Sequence, residues 1–378
     1  MSKRILVFTG SRGEWGYLRP ILEKLKNSDH IVGLVVTNMH VDPAFGATEK
    51  EIIADGFNPD YRIYMNITGN TQTSWSRSLG LLGVQLPTVF DEFSPDLILL
   101  AGDRAETFVA ATSAFYSDII IAHIQAGELS GHKDGMARHA LGKLAHVHFA
   151  SNEDAADRLI RLGEEEFRIH ITGAPQLDNL LDSNQVSDIE DVCTQLRLNE
   201  SEPFCVCIVH PSSDEKVAPQ LFIQKIFKTL EERGLNQIWI LPNNDSGSGD
   251  IVHEITHLPK KSVRVTRNLA RNDYAALLSN CEFLIGNSSS GILEAPSMGV
   301  VSINIGSRQT GRLRSKTIID VPDASFHSIG EAIDSVTKIR NFGIDFQYGE
   351  GDSSSKIINV LDSLIIDAKL ANKFLVEK

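Results

Sequence analysis

The stretch Ile285-Gly286-Asn287-Ser288-Ser289-Ser290-Gly291-Ile292-Leu293-Glu294-Ala295-Pro296 joins a short apolar run to a segment with helical spacing. The run from Cys281 to Ile285 predicts a buried strand, and Ile292 to Met298 predicts the first turns of a helix. Small residues at such a turn leave backbone N–H groups open at the partly positive helix N-terminus, which suits a phosphate. The serines add hydroxyl donors, and Glu294 could bind a sugar hydroxyl. An ordinary serine N-cap in a glycine turn is the alternative interpretation.

The same alternation of apolar runs and helical patterns extends through the first half of the chain. Five runs there are predicted strands: Arg4–Thr9, Ile31–Thr37, Asp96–Ala101, Asp118–Ala122 and His146–Ala150. Continuous apolar strands that alternate with helices are typical of a parallel sheet built from βαβ units. Ligands bind beyond the carboxyl ends of the strands in such sheets, so the polar residues that follow these strands are candidate site residues.

The pattern then restarts. The run Phe167–Thr172 leads into a polar stretch, Asp182–Glu202, which we interpret as a domain junction. The predicted strands beyond it are Phe204–His210, Gln237–Pro242, Val263–Thr266, Phe283–Ile285 and Val300–Ile305. Residues 357–375 have the spacing of an amphipathic helix. We therefore expect an α/β protein with domains at residues 1–180 and 181–355, followed by a C-terminal helix within 356–378, the two domains facing each other across a cleft.

The composition limits the classes of partner. The chain has 378 residues, of which 42% are hydrophobic and 22% charged, and its net charge is -13. That charge argues against nucleic acid or an anionic membrane as partner, so any phosphate site must be a local basic pocket. Four cysteines form no disulfide framework, which favours a reducing cytoplasm. The apolar run Ile5–Phe8 is a strand rather than a signal peptide, and no run approaches the roughly 18 residues that span a bilayer.

Gly102-Asp103-Arg104 places an acid and a base at the end of a predicted strand. In a cleft, the Asp103 carboxylate could accept a proton or stabilise an oxocarbenium-like charge. A turn aspartate that pairs with Arg104 is the alternative.

The segment from His123 to His139 is dense in ionisable groups. Glu128 and Asp134 could transfer protons on either side of a reacting carbon. The alternative is a metal site formed by His132, Asp134 and His139. Because their spacing matches no zinc motif, we expect no metal.

The second half of the chain offers groups that suit phosphate. His210 stands at the C-terminal end of a predicted strand, so its imidazole could bind a phosphate or act as an acid, with strand capping as the alternative. Asn243 lies in a turn-like loop after the next strand. The loop Gly306-Ser307-Arg308-Gln309-Thr310-Gly311-Arg312 carries guanidinium groups between glycines, which in an acidic protein suits a diphosphate.

Taken together, these residues resemble the UDP-N-acetylglucosamine 2-epimerase family, in particular its hydrolysing branch, which supplies sugars of the sialic and legionaminic acid type. The motifs that carry the resemblance lie within about residues 4–320: Thr9-Gly10-Ser11-Arg12-Gly13-Glu14, Gly102-Asp103-Arg104, His123-Ile124-Gln125-Ala126-Gly127-Glu128, Asp134 with Arg138-His139, Gly286-Asn287-Ser288-Ser289-Ser290-Gly291, and Asn304-Ile305-Gly306-Ser307-Arg308-Gln309. The resemblance implies the GT-B architecture, in which two Rossmann-like domains face a cleft and the final helix packs back on the first domain.

The resemblance also implies roles for individual residues. The implied ligands of the substrate and UDP are Arg12, Arg104, Asn243, Ser288, Ser289, Glu294 and Arg308, and the implied catalytic residues are Asp103, Glu128, Asp134 and His210. The second domain would hold UDP, with the diphosphate on Ser288 and Ser289 and the ribose on Glu294. The first domain would hold the sugar.

The implied reaction inverts carbon 2 of a UDP-linked 2-acetamido sugar with loss of UDP through a glycal. Asp103 would stabilise the charge at the anomeric carbon, and Glu128 and Asp134 would share the proton transfers. The product would be free N-acetylmannosamine or its 4-acetamido-6-deoxy analogue, and no cofactor is expected. The family also implies a homodimer or homotetramer.

Two features leave alternatives open. Many relatives have Glu where Gln125 stands, and glutamine cannot be a general base, so either Glu128 takes that work or Asp134 takes more of it. In Gly13-Glu14-Trp15, relatives often have Ala, an acid and Tyr, which we interpret as a variation in the phosphate-facing loop. The other candidate functions are a non-hydrolysing 2-epimerase, a GT-B glycosyltransferase and a silent nucleotide-sugar sensor. The residues do not distinguish UDP-N-acetylglucosamine from UDP-N,N′-diacetylbacillosamine as the substrate.

Overall fold

The chain forms two compact units. The computed structural model describes residues 2–69, 71–130, 134–182, 186–199, 202–211, 218–242, 247–267 and 269–376. The first unit contains residues 2–128, 134–178 and 352–376, and the second contains residues 129–130 and the described part of 179–351. No helix in these described ranges is long and apolar enough to cross a membrane.

A parallel sheet forms the centre of the first unit. Its strands within the described ranges are β1 (Arg4–Thr9), β2 (Ile31–Thr37), β3 (Tyr61–Ile63), β4 (Leu97–Ala101), β5 (Ile120–Ile124), β6 (Val147–Ala150) and β7 (Ile169–Ile171). Their order is β3-β2-β1-β4-β5-β6-β7, and every neighbouring pair is parallel. The order changes direction between β1 and β4, which is the position where open α/β sheets bind ligands.

Helices cover both faces of this sheet. They are α1 (Arg12–Leu25), α2 (Glu49–Ala54), α3 (Gln72–Phe93), α4 (Ala105–Phe115), α5 (Asp134–Leu144) and α6 (Glu153–Arg161). The short helix α7 (Asp178–Leu181) begins at the last residue of this stretch of the first unit and continues into the second. Alternate residues of β1 enter two different cores. Ile5 and Val7 pack in the cluster that contains α1 residues, whereas Leu6 and Phe8 pack in the cluster that contains α3 residues. This two-sided burial explains why the strand is continuously apolar.

The second unit repeats the architecture. Its described strands are β8 (Phe204–Ile208), β9 (Asn236–Ile240), β10 (Val263–Thr266), β11 (Leu284–Gly286), β12 (Ser302–Ile305) and β13 (Ile318–Val321). All are parallel in the order β10-β9-β8-β11-β12-β13, so the order changes direction between β8 and β11. The described helices are α8 (Ile189–Leu196), α9 (Pro219–Glu231), α10 (Ser248–Thr256), α11 (Arg271–Asn280), α12 (Ser290–Leu293) and α13 (Phe326–Arg340). The prediction of two Rossmann-like α/β domains is confirmed.

The C-terminal segment returns to the first unit, as predicted, but as two helices rather than one. They are α14 (Ser353–Ser363) and α15 (Ala368–Ala371). The Asp178 carboxylate accepts hydrogen bonds from the backbone N–H groups of Ser353 and Ser354, which fixes the start of α14. Ile357 and Leu361 are buried in the first core. The predicted single helix over 357–375 is wrong because Leu364 has an extended backbone and Asp367 caps a new helix.

The run Phe167–Thr172 contains β7, which lies at the edge of the first sheet. Two other features differ from the sequence-based predictions. The short edge strands β3 and β13 were not predicted, because three or four residues give little periodicity. The helix predicted from Ile292 to Met298 is the single turn α12 followed by a 3-10 turn at Pro296–Met298. Proline has no N–H with which to continue the helical hydrogen bonds.

Candidate active site

In the first unit, the motifs at residues 9–14 and 102–104 meet where the strand order changes direction. The first motif follows β1 and the second follows β4, and these strands are neighbours. Ser11 caps α1 by accepting a hydrogen bond from the backbone N–H of Glu14, so Arg12 is the first residue of the helix. Arg12 and Arg104, predicted as substrate ligands, thus lie at the carboxyl edge of adjacent strands.

A buried arginine holds the Asp103 carboxylate. Arg138 of α5 donates from Nη2 to Asp103 Oδ2 at 2.6 Å and from Nη1 to the backbone oxygen of Gln125 at 2.8 Å. Arg138 thereby joins the loops that follow β4 and β5. Arg104 instead donates from Nε to Glu106 Oε1 at 2.7 Å. A partly exposed aspartate beside a buried guanidinium is kept ionised, as charge stabilisation requires.

The turn after β5 fixes Glu128. Glu128 is 3% exposed and accepts a hydrogen bond from Ser151 Oγ at 2.6 Å. A Cβ on Gly127, whose φ is +77°, would lie 2.3 Å from the backbone oxygen of Ala155, so only glycine fits there. Arg158 also donates to the Gly127 carbonyl at 2.8 Å. The carboxylate therefore sits on a rigid turn.

Gln125 lies in the same turn but its side chain makes a different contact. Its φ is +59°, an uncommon backbone conformation for a residue other than glycine. The buried amide donates from Nε2 to Gln176 Oε1 at 3.4 Å. Glu128 is thus the carboxylate that this turn carries.

Part of the predicted acid cluster lies outside the described residues. The helix α5 begins at Asp134, but the side chain of Asp134 and the whole of His132 are not described. Among the residues that are described, no group of three or more histidine, cysteine or acidic side chains could hold a metal. His123 donates from Nε2 to the Gly102 carbonyl at 2.7 Å, and burial lowers the pKa of His123 to about 3. This neutral imidazole holds the turn that precedes Asp103.

In the second unit, Asn287 joins three loops at the position where the strand order changes direction. Its Oδ1 accepts from the backbone N–H of His210 at 2.7 Å, and its Nδ2 donates to the His210 carbonyl at 2.9 Å. Its own carbonyl accepts from Gln309 Nε2 at 2.9 Å and from Arg308 Nη1 at 3.2 Å. Asn287 therefore brings together His210 and Arg308, and no local sequence pattern predicts this role for Asn287.

The serines follow Asn287 at the start of α12. Ser288 is buried, and its Oγ accepts a hydrogen bond from the backbone N–H of Ser290 at 3.3 Å. Ser289 is half-buried and occupies the N-cap position. The preceding Gly286 has a φ of +142°, and a Cβ there would lie 2.0 Å from the Ile208 carbonyl. This close approach of β11 to β8 brings the serine turn next to the loop that holds His210.

Glu294 is oriented by two donors. Arg271 Nη2 donates to its Oε1 at 2.7 Å, and Ser290 Oγ donates to its Oε2 at 2.5 Å. The buried Tyr274 hydroxyl shares a hydrogen bond with Ser290. Arg271 and Tyr274 lie on α11 and were not predicted. The sequence signal that could have found them is an arginine placed one helical turn before a tyrosine. Asn243 lies outside the described residues.

Comparison with known proteins identifies the family. Residues 23–362 match the family described as UDP-N-acetylglucosamine 2-epimerase. The chain belongs to the UDP-N-acetylglucosamine 2-epimerase family. It is 33% identical over 380 residues to the UDP-N,N′-diacetylbacillosamine 2-epimerase (hydrolyzing) of Legionella pneumophila, which covers 99% of each chain. It is 34% identical over 352 residues to a UDP-N-acetylglucosamine 2-epimerase of Neisseria meningitidis, which covers 93% of this chain and 92% of that one.

A solved structure of the same family shares the fold. The crystal structure of a UDP-GlcNAc 2-epimerase from Neisseria meningitidis bound to UDP-GlcNAc matches with a TM-score of 0.83. The match covers 96% of this chain and 100% of that chain at 18% sequence identity. At that identity the likeness establishes the epimerase-family fold, of the GT-B type.

Proposed function

We propose that this 2-epimerase family member is the hydrolysing type and acts on a UDP-linked 2-acetamido sugar. One observation on the site supports epimerase chemistry: the turn after β5 presents the buried Glu128 carboxylate as a proton carrier, while the Gln125 amide bonds to Gln176. The relative from Legionella pneumophila, aligned over almost the full chain, carries the word "hydrolyzing" in its name. The product is free N-acetylmannosamine or, from the bacillosamine substrate, its 4-acetamido-6-deoxy analogue.

The second domain holds UDP in this proposal. The serine turn at Ser288 and Ser289 takes the diphosphate, with His210 and Arg308 on the loops that Asn287 ties to it. Glu294 takes the ribose hydroxyls, because Arg271 and Ser290 hold its carboxylate in a fixed orientation. Arg12 and Arg104 of the first domain, and Asn243, complete the ligands. We assign the catalytic carboxylates to residues 1–180 and UDP to residues 181–355.

The first half-reaction is an elimination. The bond between the anomeric carbon and UDP breaks, and UDP leaves with the electron pair. The C2–H bond supplies the pair that forms the C1–C2 double bond of the glycal, and a carboxylate takes the proton. Asp103, kept ionised by Arg138, stabilises the positive charge that develops at the anomeric carbon.

The second half-reaction adds water. The oxygen of water bonds to C1 and a proton returns to C2 on the opposite face, which inverts that carbon. Because the two faces need different proton carriers, Glu128 and Asp134 share the transfers, and His210 serves as an acid at the departing phosphate. Overall, the UDP sugar and one water molecule are converted into the free sugar and UDP.

Product analysis with both candidate sugars tests the proposal. UDP-N-acetylglucosamine and UDP-N,N′-diacetylbacillosamine are incubated separately with the enzyme, and UDP and free reducing sugar are quantified by chromatography. Equal amounts of UDP and free sugar from one substrate support the proposal and name that substrate. The Neisseria meningitidis relative is named without the word "hydrolyzing", and this favours a non-hydrolysing 2-epimerase as the second candidate. An epimerised sugar that remains bound to UDP would select it. Release of UDP only when an acceptor is added would indicate a glycosyltransferase.

A further inference from the structure

Two buried carboxyl groups lie where the strand order of the first sheet changes direction, and the reaction above uses neither. Glu14 on α1 is 2% exposed and Glu106 on α4 is fully buried. Both contact Gly10. The backbone N–H of Gly10 donates to Glu14 Oε2 at 2.6 Å, and a Cβ on Gly10 would lie 2.8 Å from Glu106 Cγ. Thr107, the neighbour of Glu106, donates its hydroxyl proton to Glu14 Oε1. The two carboxyl groups thus form one cluster around Gly10.

The donors around this cluster suit one negative charge rather than two. Glu106 Oε1 accepts from Asn38 Nδ2 at 2.8 Å and from Arg104 Nε at 2.7 Å. Glu106 Oε2 is buried and accepts no hydrogen bond from the described residues. The described donors to Glu14 are a backbone N–H and a hydroxyl, both neutral. Two buried carboxylates beside one guanidinium cannot both ionise cheaply.

Other ionisable groups near the cluster do not change this balance. Arg104 faces it from the loop after β4, and Arg12 lies at the start of α1. His40, in the segment after β2, is neutral because burial lowers its pKa to about 4. Burial, together with the charge of Glu106, raises the pKa of Glu14 to about 7.

We propose that Glu14 and Glu106 hold one proton between them and are positioning residues for Arg104 and for the turn Gly10–Arg12. When the pair holds one proton, one negative charge remains beside Arg104 and the turn is undisturbed. Loss of the shared proton places two like charges against Gly10, and their repulsion moves the two carboxylates apart. This movement shifts Arg104, which Glu106 holds, and the turn that carries Arg12. The positioning role rests on the proposed function, in which these arginines bind the UDP sugar; the sharing of the proton does not.

Steady-state kinetics against pH test the positioning role. Between about pH 5.5 and 9, the KM of the wild-type enzyme is expected to rise about tenfold per pH unit above about pH 7, with kcat changing less. Glu14→Gln keeps a neutral donor in place of the protonated acid, so its KM stays constant through that range. Glu106→Gln removes the charged partner of Arg104, so its KM is raised about tenfold at every pH. Glu23→Gln, on the outer part of the same helix, serves as the matched control and keeps the wild-type profile. An unchanged rise of KM in Glu14→Gln would overturn the positioning role.

Thermal unfolding tests the shared proton without any substrate. A carboxyl group with a raised pKa binds more protons in the folded than in the unfolded protein between about pH 4.5 and 7, so the stability of the wild type falls as pH rises through that window. The Glu14→Gln variant lacks this fall in stability. The Tm of the variant minus the Tm of the wild type should therefore increase from about pH 5 to 8. A constant Tm difference would overturn the shared proton. If the Tm difference increases with pH but the enzyme turns over neither UDP sugar, the shared proton of Glu14 and Glu106 is supported and the proposed function is contradicted.

Discussion

Arg138 and Asp103 form an ion pair at 2.6 Å in which the arginine is almost fully buried and the aspartate is partly exposed. The guanidinium reaches Asp103 from α5, 35 residues further along the chain, and its second branch holds the Gln125 carbonyl. The arrangement fixes both the ionisation and the direction of the carboxylate. It also links the two loops that carry Asp103 and Glu128.

Removing the charge of Asp103 should abolish turnover with little effect on UDP binding. Asp103→Asn keeps the shape of the side chain but cannot stabilise the developing positive charge, so kcat should fall about 1,000-fold. Arg138→Lys keeps a charge but loses one branch of the fork, so kcat should fall about tenfold. UDP affinity, measured by calorimetry, should stay within about twofold for both variants. Full turnover by Asp103→Asn would remove Asp103 from the mechanism.

Placing glutamate at position 125 should not improve the enzyme. Its buried side chain bonds to Gln176, so a carboxylate there would be poorly solvated. Gln125→Glu should lower the free energy of unfolding by about 1 to 3 kcal/mol and leave kcat equal or lower. Denaturant titration and initial rates measure the two effects. A several-fold increase of kcat would instead assign the general base to position 125.

The turn that carries Glu128 should tolerate no side chain at Gly127. Gly127→Ala forces a methyl group against the Ala155 carbonyl at a positive φ, which should cost about 2 to 3 kcal/mol of stability and displace Glu128. Gly80→Ala is the matched control. It lies in α3 with nothing within 4 Å of the added methyl group, so it should be neutral or slightly stabilising. Equal stability of the two variants would show that the turn is not rigid.

Arg271 should act through Glu294. If Glu294 binds the ribose, Arg271→Gln should raise the KM for the UDP sugar about tenfold and change kcat little. In a protein that already carries Glu294→Gln, Arg271→Gln should raise the KM much less than it does alone, because the interaction between the two residues is already lost. Arg340→Gln, which removes a pair with the exposed Glu282, serves as the control. Fully additive effects of the two substitutions would contradict the link.

Glu164 should make the first domain sensitive to acid. It accepts hydrogen bonds from His148, Lys143 and Lys373, and Lys373 also binds the carbonyl oxygens of Gly142 and Ala145. Burial alone would raise the pKa of Glu164. The hydrogen bonds and charges of His148, Lys373 and Lys143 together outweigh burial and lower the pKa to about 2. Burial is the larger influence on Lys373 and lowers its pKa to about 8, so the amine stays charged throughout the acid range.

The lowered pKa of the Glu164 carboxyl determines the direction in which stability changes with pH. The unfolded chain binds more protons between about pH 4.5 and 2, so stability present above pH 4.5 is lost as the pH falls through that window. Glu164→Gln should lower Tm at pH 7 and flatten its decline in acid, as followed by circular dichroism. An equally steep decline in the variant would locate the acid sensitivity elsewhere.

The larger strands could be predicted because both faces of each sheet are covered. That burial makes Arg4–Thr9 and Leu97–Ala101 nearly continuous apolar runs with clear ends. The predicted residues Asp103 and His210 follow such strands directly. The supporting residues could not be predicted in this way. Asn38 meets Glu106 across 68 positions, and Arg271 meets Glu294 across 23, so no local pattern connects them. The break after α12 depends on Pro296 and was missed because the apolar spacing continues past it.

The central claim is that carbon 2 is inverted while the bond to UDP is lost. Proton NMR in deuterated water, with each of the two UDP sugars in turn, tests both halves in a single experiment. The proposed reaction predicts free sugar of the manno configuration, with deuterium at carbon 2 and one equivalent of UDP. Free sugar of the original configuration with hydrogen retained at carbon 2, or an epimerised sugar still attached to UDP, would contradict it.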